Sequence, residues 1–159
     1  KPIDGLTDSK KLTAARREQL AELIRETAVA WSVVSIEAAE IDRINILQAT
    51  MLGMKRSIEQ LSILPGHVLI DGNRCPDVDL PATAVIKGDL RVAEISAASI
   101  LAKVERDAQM LVLHESYPQY GFDKHKGYPT KTHFEALAEY GPCPEHRRSF
   151  GPVRNVLSG

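Results

Sequence analysis

The sequence predicts an α/β fold, in which short strands of a sheet pack against amphipathic helices. Two apolar, β-branched runs, 68–70 and 82–86, are bounded by Gly and Pro, as buried strands usually are. A third run with this composition covers 29–36. It is followed over 38–61 by apolar residues at steps of three and four, the period of a helix that packs against a sheet.

The composition is that of one globular domain. The chain has 159 residues, of which 43% are hydrophobic and 26% are charged. No apolar run approaches the ~18 residues that span a bilayer, and no leader segment opens the sequence. We therefore expect a cytoplasmic protein that does not act in a membrane. Cys75 and Cys143 are far apart without metal-ligand spacing, and they are interpreted as free thiols.

Four helices are predicted from N-caps and apolar periodicity. The first is expected to start at an N-cap among Thr7, Asp8 and Ser9 and to end near residue 27. The second and third are expected over about 38–61 and 94–114. The fourth is capped by Thr130 and ends near residue 140.

Each of the two aspartates Asp71 and Asp89 comes at the end of one of the strand-like runs. If the strands are parallel, both carboxylates emerge at one edge of the sheet, where α/β proteins bind ligands. If the strands are antiparallel, the carboxylates point to opposite ends. The connector 72–81 has ten residues, near the lower limit of about a dozen for a parallel crossover. The direction stays open, and an ordinary turn at Asp71 is the alternative.

The charge is unevenly distributed along the chain. Residues 117–159 hold six Lys or Arg against four Asp or Glu, so this segment is +2 and the remainder is −3. The same segment holds seven of the eight aromatic residues. Such a composition fits a surface that contacts phosphates and bases, and it fits a small aromatic core equally well.

Six short motifs, in this order and with these spacings, closely resemble those of bacterial ribonuclease HII. They are Asp8-Ser9-Lys10-Lys11-Leu12, Ile70-Asp71-Gly72-Asn73, Lys87-Gly88-Asp89, Ile95-Ser96-Ala97-Ala98-Ser99-Ile100-Leu101-Ala102-Lys103, His125-Lys126-Gly127-Tyr128-Pro129-Thr130 and His146-Arg147-Arg148-Ser149-Phe150. The resemblance covers almost the whole chain. It rests on six motifs in register, where any one alone would be weak.

The resemblance implies an RNase H-like α/β fold with a mixed sheet flanked by helices. Residues 1–159 would form a single domain, with 117–159 as a helical C-terminal extension that contacts the substrate. The implied activity is metal-dependent hydrolysis of the RNA strand of RNA–DNA hybrids, and cleavage at ribonucleotides embedded in duplex DNA. The family uses Mn²⁺ or Mg²⁺ held by four acidic residues, and the resemblance places Asp71 and Asp89 at two of those positions. We expect a monomer.

The resemblance also implies residues that contact the substrate. Tyr128 matches the family tyrosine that stacks on the ribose at the RNA–DNA junction. Positions near the nucleic-acid backbone are matched by Lys10, Lys11, Asn73, Arg147 and Arg148. From the residues alone, Lys10 and Lys11 fall in the first turn of the first helix, where they either hold an anion or are solvated. The five histidines are scattered along the sequence and are interpreted as structural or solvated.

One family motif has no counterpart in this sequence. The family opens with an Asp-Glu pair followed by Gly-Arg-Gly, and this chain contains neither. We therefore expect that roughly the first 40 residues of a family member, with the first strands of the sheet and two acidic residues, are not in this chain. The chain alone is then expected to be inactive. The alternatives are a non-catalytic nucleic-acid-binding module, a small-molecule α/β protein and a ribonuclease HIII.

Overall fold

Seven α-helices and two β-strands form the regular structure of residues 2–159, the part of the chain that this computed structural model describes. The α-helices are α1 (Ala14–Thr27), α2 (Ala38–Ile44), α3 (Ile46–Glu59), α4 (Ala93–Ser116), α5 (Phe122–His125), α6 (Lys131–Tyr140) and α7 (Gly151–Ser158). The strands are β1 (Val68–Asp71) and β2 (Ala82–Val85). Single 3₁₀ turns cover Ser9–Lys11, Gly88–Leu90 and Pro118–Tyr120.

The strands β1 and β2 are parallel, with Val68 opposite Ala82 and Asp71 opposite Val85. The hydrogen-bond ladder between the strands continues past their carboxyl ends, where the N–H of Gly72 donates to the carbonyl of Val85 at 3.0 Å. The ten-residue connector is therefore sufficient for a parallel crossover. The predicted α/β class is confirmed, and the direction that the sequence left open is settled.

The chain divides into two units, each with its own apolar core. The first unit contains the residues up to Val34 together with Met51–Glu105, and the second contains Ser35–Thr50 together with Arg106–Gly159. The first unit has two buried clusters, formed by Leu20, Ala21, Ile24, Ile100 and Leu101 and by Ile58, Val68 and Ile70. The second unit is built around Met110, Tyr120, Phe122, Ala136 and Cys143. The aromatic residues of segment 117–159 thus include buried core residues, such as Tyr120 and Phe122, and exposed residues, such as Tyr128.

The predicted strand over 29–36 is wrong. Within residues 2–159, β1 and β2 are the strands that pair, and 29–36 carries no strand hydrogen bonds. β-branched residues favour extended backbone, but a strand also needs a neighbouring strand to satisfy its N–H and C=O groups. Composition alone does not reveal whether that neighbour is present.

The predicted helix over 38–61 is interrupted at Asn45, which separates α2 from α3. Asn45 has φ +71°, a left-handed conformation that asparagine tolerates better than most residues. Its backbone N–H closes α2 on the carbonyl of Ile41 at 2.8 Å, and its side-chain Oδ1 accepts from the N–H of Gln48 at 3.0 Å to start α3. One residue therefore ends one helix and caps the next.

The start of the first helix also differs from the prediction. Asp8 caps the 3₁₀ turn Ser9–Lys11 by accepting from the N–H of Lys10 at 2.9 Å, and Thr13 caps α1. The predicted end at Thr27 and the predicted cap of α6 at Thr130 are confirmed. Among the helices of residues 2–159, none has both the length and the apolar character needed to cross a bilayer.

Candidate active site

Asp71 is the last residue of β1, and the alternation of the strand exposes its carboxylate. Val68 and Ile70 point into the core, while Leu69 and Asp71 are exposed. The next residue, Gly72, has φ +128°, a conformation that residues with a Cβ rarely adopt. The chain therefore turns away directly after the carboxylate and leaves it at the carboxyl end of the parallel pair.

Asp89 is not at the end of its strand, in contrast to the prediction. β2 ends at Val85, and Asp89 lies in the 3₁₀ turn Gly88–Leu90, after a left-handed Lys87 with φ +54°. The backbone N–H of Gly88 donates to Oδ1 of Asp71 at 2.8 Å. This hydrogen bond joins the turn that carries Asp89 to the first carboxylate.

Two neighbours fix the position of this turn. A Cβ on Gly88 would lie 2.5 Å from Cδ1 of the buried Ile95 and 3.4 Å from Oδ1 of Asp71, so the close approach requires glycine. The buried hydroxyl of Ser96 donates to the carbonyl of Asp89 at 2.6 Å, where α4 begins. The hydroxyl of Ser96 thus ties the first turn of α4 to the turn that carries Asp89.

The donor set at this edge fits a hard divalent cation in type. Asp71 and Asp89 offer carboxylate oxygens, the ligands that Mg²⁺ and Mn²⁺ prefer. The number of possible ligands is small, because no group of three or more His, Cys, Asp or Glu side chains in residues 2–159 is arranged to hold a metal ion. The described residues would thus contribute two ligands to such a centre.

Three other predicted residues belong to the same unit. Lys10 and Lys11 lie in the 3₁₀ turn before α1, not in the first turn of α1 as predicted, and both are exposed. Asn73 is exposed two residues after Asp71. All three present polar side chains to solvent, as residues that contact a nucleic-acid backbone must.

In the second unit, the backbone of Tyr128 is held on both sides. Its N–H donates to the carbonyl of His125 at 2.8 Å, and its own carbonyl lies 3.0 Å from Nδ1 of His133. The side chain of Tyr128 is 53% exposed, more than is usual for an aromatic residue that packs in a core. A rigid backbone with an exposed ring suits a residue that stacks on a ligand.

The predicted basic residues Arg147 and Arg148 lie in a loop that is held by Asp42 of α2. One carboxylate oxygen of Asp42 accepts from the N–H of Arg148 at 2.7 Å, and the other accepts from the N–H of Ser149 at 2.9 Å and from its hydroxyl. Burial opposes ionisation, but the bonds from Ser149 and Arg148 outweigh it and lower the pKa of Asp42. The guanidinium of Arg147 lies 5.1 Å from the ring centre of Phe150, and Arg148 is exposed.

A family model described as ribonuclease HII matches residues 4–153. The ribonuclease HII of Dechloromonas aromatica is 59% identical over 99% of this chain and 81% of its own length. The ribonuclease HII of Aliivibrio fischeri (strain MJ11) is 62% identical over 98% of this chain and 75% of its own length.

The chain belongs to the ribonuclease HII family. The crystal structure of ribonuclease H2 from Pyrococcus horikoshii OT3 agrees with this, with a TM-score of 0.81 and 25% identity over 97% of this chain and 81% of that one. The predicted RNase H-like fold is therefore confirmed, and the chain is a member of a family of endoribonucleases. Of the eight predicted site residues of this ribonuclease HII chain, five lie in the first unit and three in the second.

Sequence reasoning missed the surroundings of these site residues. The histidines are not all scattered in space, because His125, His133 and His146 are buried together with Cys143 in the second unit. They are 8 and 13 residues apart in sequence, which matches no metal-ligand or catalytic spacing. The prediction that both cysteines are free is confirmed.

Proposed function

We propose that this chain is the catalytic part of a cytoplasmic, monomeric endonuclease that uses Mn²⁺ or Mg²⁺. Its substrates are RNA–DNA hybrids, in which it hydrolyses the RNA strand, and duplex DNA that contains embedded ribonucleotides. The observation that carries the proposal is the bond from Gly88 to Asp71, which joins two aspartate-bearing segments at the carboxyl ends of parallel strands. Ligand sites of α/β proteins lie at this edge.

Asp71 and Asp89 would hold the metal ion through their carboxylate oxygens. The chemistry that a bound divalent ion supplies is activation of the attacking water and stabilisation of the leaving oxygen. The protein's contribution is to fix the two carboxylates, through the register of β1 and through the anchored turn at Gly88. Asp89→Asn would remove charge and a ligand, and Asp71→Asn would do the same while its amide oxygen could still accept from the N–H of Gly88.

The remaining predicted residues would bind the duplex. Tyr128 would stack on the ribose of the ribonucleotide, where the 2′-hydroxyl distinguishes RNA from DNA. Lys10, Lys11, Asn73, Arg147 and Arg148 would contact phosphates and so contribute affinity that weakens with salt. The exposure of all of these residues except the half-buried Arg147, and the rigid backbone around Tyr128 and Arg148, support these roles.

A second candidate function is a nucleic-acid-binding module without catalysis. It is favoured by the two-carboxylate donor set, which is half of the four acidic residues that the family resemblance implies. Two carboxylates hold a divalent ion weakly, so the 159-residue chain alone is expected to bind a duplex without cutting it.

The test compares two polypeptides on a labelled DNA duplex that contains one ribonucleotide. One is the 159-residue chain, and the other carries an additional N-terminal segment with the Asp-Glu and Gly-Arg-Gly motifs. We expect the longer form to cleave at the ribonucleotide in the presence of Mn²⁺ or Mg²⁺, and its Asp71→Asn variant to be inactive. Cleavage by the 159-residue chain with Mn²⁺ would contradict the expectation for the short form. Binding by both forms without cleavage would support the second candidate.

A further inference from the structure

A continuous chain of hydrogen bonds runs through the second unit from Cys143 to Tyr128. The N–H of Cys143 donates to Nδ1 of His146 at 3.1 Å, and Nε2 of His146 lies 3.1 Å from Nε2 of His133. Nδ1 of His133 lies 3.0 Å from the carbonyl of Tyr128. Both histidines are 9% exposed, so their ring nitrogens must find partners within the protein.

These contacts determine the tautomer of each ring. Nδ1 of His146 faces an N–H donor and must accept, so the proton of His146 is on Nε2. That proton points at Nε2 of His133, which must therefore accept, and the proton of His133 is on Nδ1. From there it is donated to the carbonyl of Tyr128. All three bonds can form together only when both rings are neutral.

A third histidine supports the same segment. The ring of His125 stacks on that of His133, with centroids 4.3 Å apart and planes at 12°. Its Nδ1 accepts from the N–H of Gly127 at 3.2 Å, so its Nε2 carries the proton and donates to the carbonyl of Tyr120 at 2.7 Å. Gly127 itself has φ +78°, where a Cβ would lie 3.1 Å from Sδ of Met110.

We propose that His133 and His146 are positioning residues for Tyr128, acting as a relay of two neutral imidazoles with opposite tautomers that fixes the Tyr128 carbonyl. The relay and the N–H of Thr130, which donates at 2.8 Å, hold the carbonyl of Tyr128, and the His125 carbonyl holds its N–H. Through this backbone, the buried His133 and His146 would set the orientation of the exposed Tyr128 ring relative to a bound ribose. The effect on substrate rests on the proposed function, whereas the relay itself does not.

The buried environment favours the neutral state of both rings, which the relay requires. Burial lowers the pKa of His133, against the opposing effect of its bond to the Tyr128 carbonyl. Burial and the neighbouring His133 lower the pKa of His146 to about 4. His125, Cys143, Tyr120 and Phe122 face the two rings, and none of these four is a carboxylate that would stabilise an imidazolium. The carboxylate of the same loop, Glu145, is exposed and interacts with the Cys143 thiol.

The relay is tested first on the unmodified 159-residue chain by long-range ¹H–¹⁵N NMR, which distinguishes the two neutral tautomers and the imidazolium. We expect a proton on Nδ1 of His133 and on Nε2 of His146 at neutral pH. The opposite tautomer of either ring, or a charged ring, overturns the proposal. This measurement needs neither activity nor substrate.

The positioning of Tyr128 is tested with paired variants. His146→Gln keeps an N–H donor near the Nε2 position, whereas His146→Leu removes it. We expect His146→Leu, but not His146→Gln, to speed amide hydrogen exchange of Tyr128. His67→Leu, a histidine outside the relay, should have no effect. Equal exchange of the Tyr128 amide in both His146 variants and in the unmodified chain contradicts the proposal.

The effect on substrate binding is tested by measuring two affinities, one for a DNA duplex that contains one ribonucleotide and one for the same duplex without it. The ratio of the first affinity to the second is then compared between variants. We expect His133→Leu to reduce this ratio about fivefold, the equivalent of one hydrogen bond, and His133→Asn to restore part of it. In a Tyr128→Ala background, His133→Leu should cause no further loss. An equal loss in both backgrounds would show that His133 does not act through Tyr128. If the unmodified chain does not discriminate between the duplexes, the proposed function fails while the NMR result still decides the relay.

Discussion

The backbone N–H of Gly88 donates to Oδ1 of Asp71 at 2.8 Å, and this bond joins the end of β1 to the turn that contains Asp89. Asp71 therefore serves two purposes, because one oxygen orders the turn while the carboxylate remains exposed at the strand end. The bond depends on a close approach at position 88, where a Cβ would lie 2.5 Å from Cδ1 of Ile95 and 3.4 Å from Oδ1 of Asp71. Several consequences of this arrangement can be measured.

Gly88→Ala should destabilise the chain and disturb the proposed metal site. The new Cβ would overlap Cδ1 of Ile95, whose side chain is buried and cannot move freely. Overpacking of this kind costs about 1–3 kcal/mol. Urea unfolding measures this cost, and Mn²⁺ titration measures the effect on the site. Gly66→Ala is the matched control, since a Cβ there meets no atom within 4 Å, and equal stability losses for both variants would contradict the prediction.

Asp42→Asn should loosen the loop that contains Arg147 and Arg148. The amide has one accepting oxygen where the carboxylate has two, so its NH₂ group would face a backbone N–H of Arg148 or Ser149. Losing a solvent-screened hydrogen bond of this kind costs about 0.5–1.5 kcal/mol. Urea unfolding should show a loss in this range, together with weaker duplex binding at low salt. Asp79→Asn, an exposed carboxylate of the first unit, should leave stability unchanged.

Acidification should destabilise the second unit through His146. The pKa of this group falls from 6.5 to about 4 in the folded chain because of burial. The unfolded chain therefore binds the proton first as pH falls, so the stabilisation is complete above pH 6.5 and is lost as pH falls towards 4. At pH 5 the loss should be about 1–2 kcal/mol, after allowance for solvent contact.

The measurement is urea unfolding at pH 7 and pH 5 for the unmodified chain and for His146→Gln. Carboxylates contribute equally to both and cancel in the comparison. The unmodified chain should lose more stability than the variant. Equal losses would mean that the pKa of His146 is not lowered in the folded chain.

The parts of the fold that were predicted correctly depend on local sequence. The apolar runs before Asp71 and before Val85 form strands, and Thr130 caps α6, because these features are decided by residues within a few positions. Local rules did not decide whether β1 and β2 are parallel, since a connector of ten residues permits either direction. They also failed at 29–36, where a strand depends on a partner distant in sequence.

The candidate site was predictable as a set of residues but not as a geometry. The resemblance identified Asp71 and Asp89, whereas the bond through Gly88 depends on a left-handed Lys87 and on close packing against Ile95. The histidine relay could not be predicted from the sequence, for a related reason. His133 and His146 meet only after α6 and the loop behind it have folded, and their spacing of 13 residues corresponds to no local motif.

The central claim is that Asp71 and Asp89 belong to one divalent-metal site, and Mn²⁺ binding to the 159-residue chain tests it most directly. Binding can be followed by electron paramagnetic resonance for the unmodified chain, for Asp71→Asn and for Asp89→Asn, with the exposed Asp77→Asn as a control of equal charge change. We predict that each of the first two substitutions weakens Mn²⁺ binding by about tenfold or more and that the control does not. Unchanged Mn²⁺ binding in Asp71→Asn and Asp89→Asn would contradict the account, because neither carboxylate would then be a ligand of the ion.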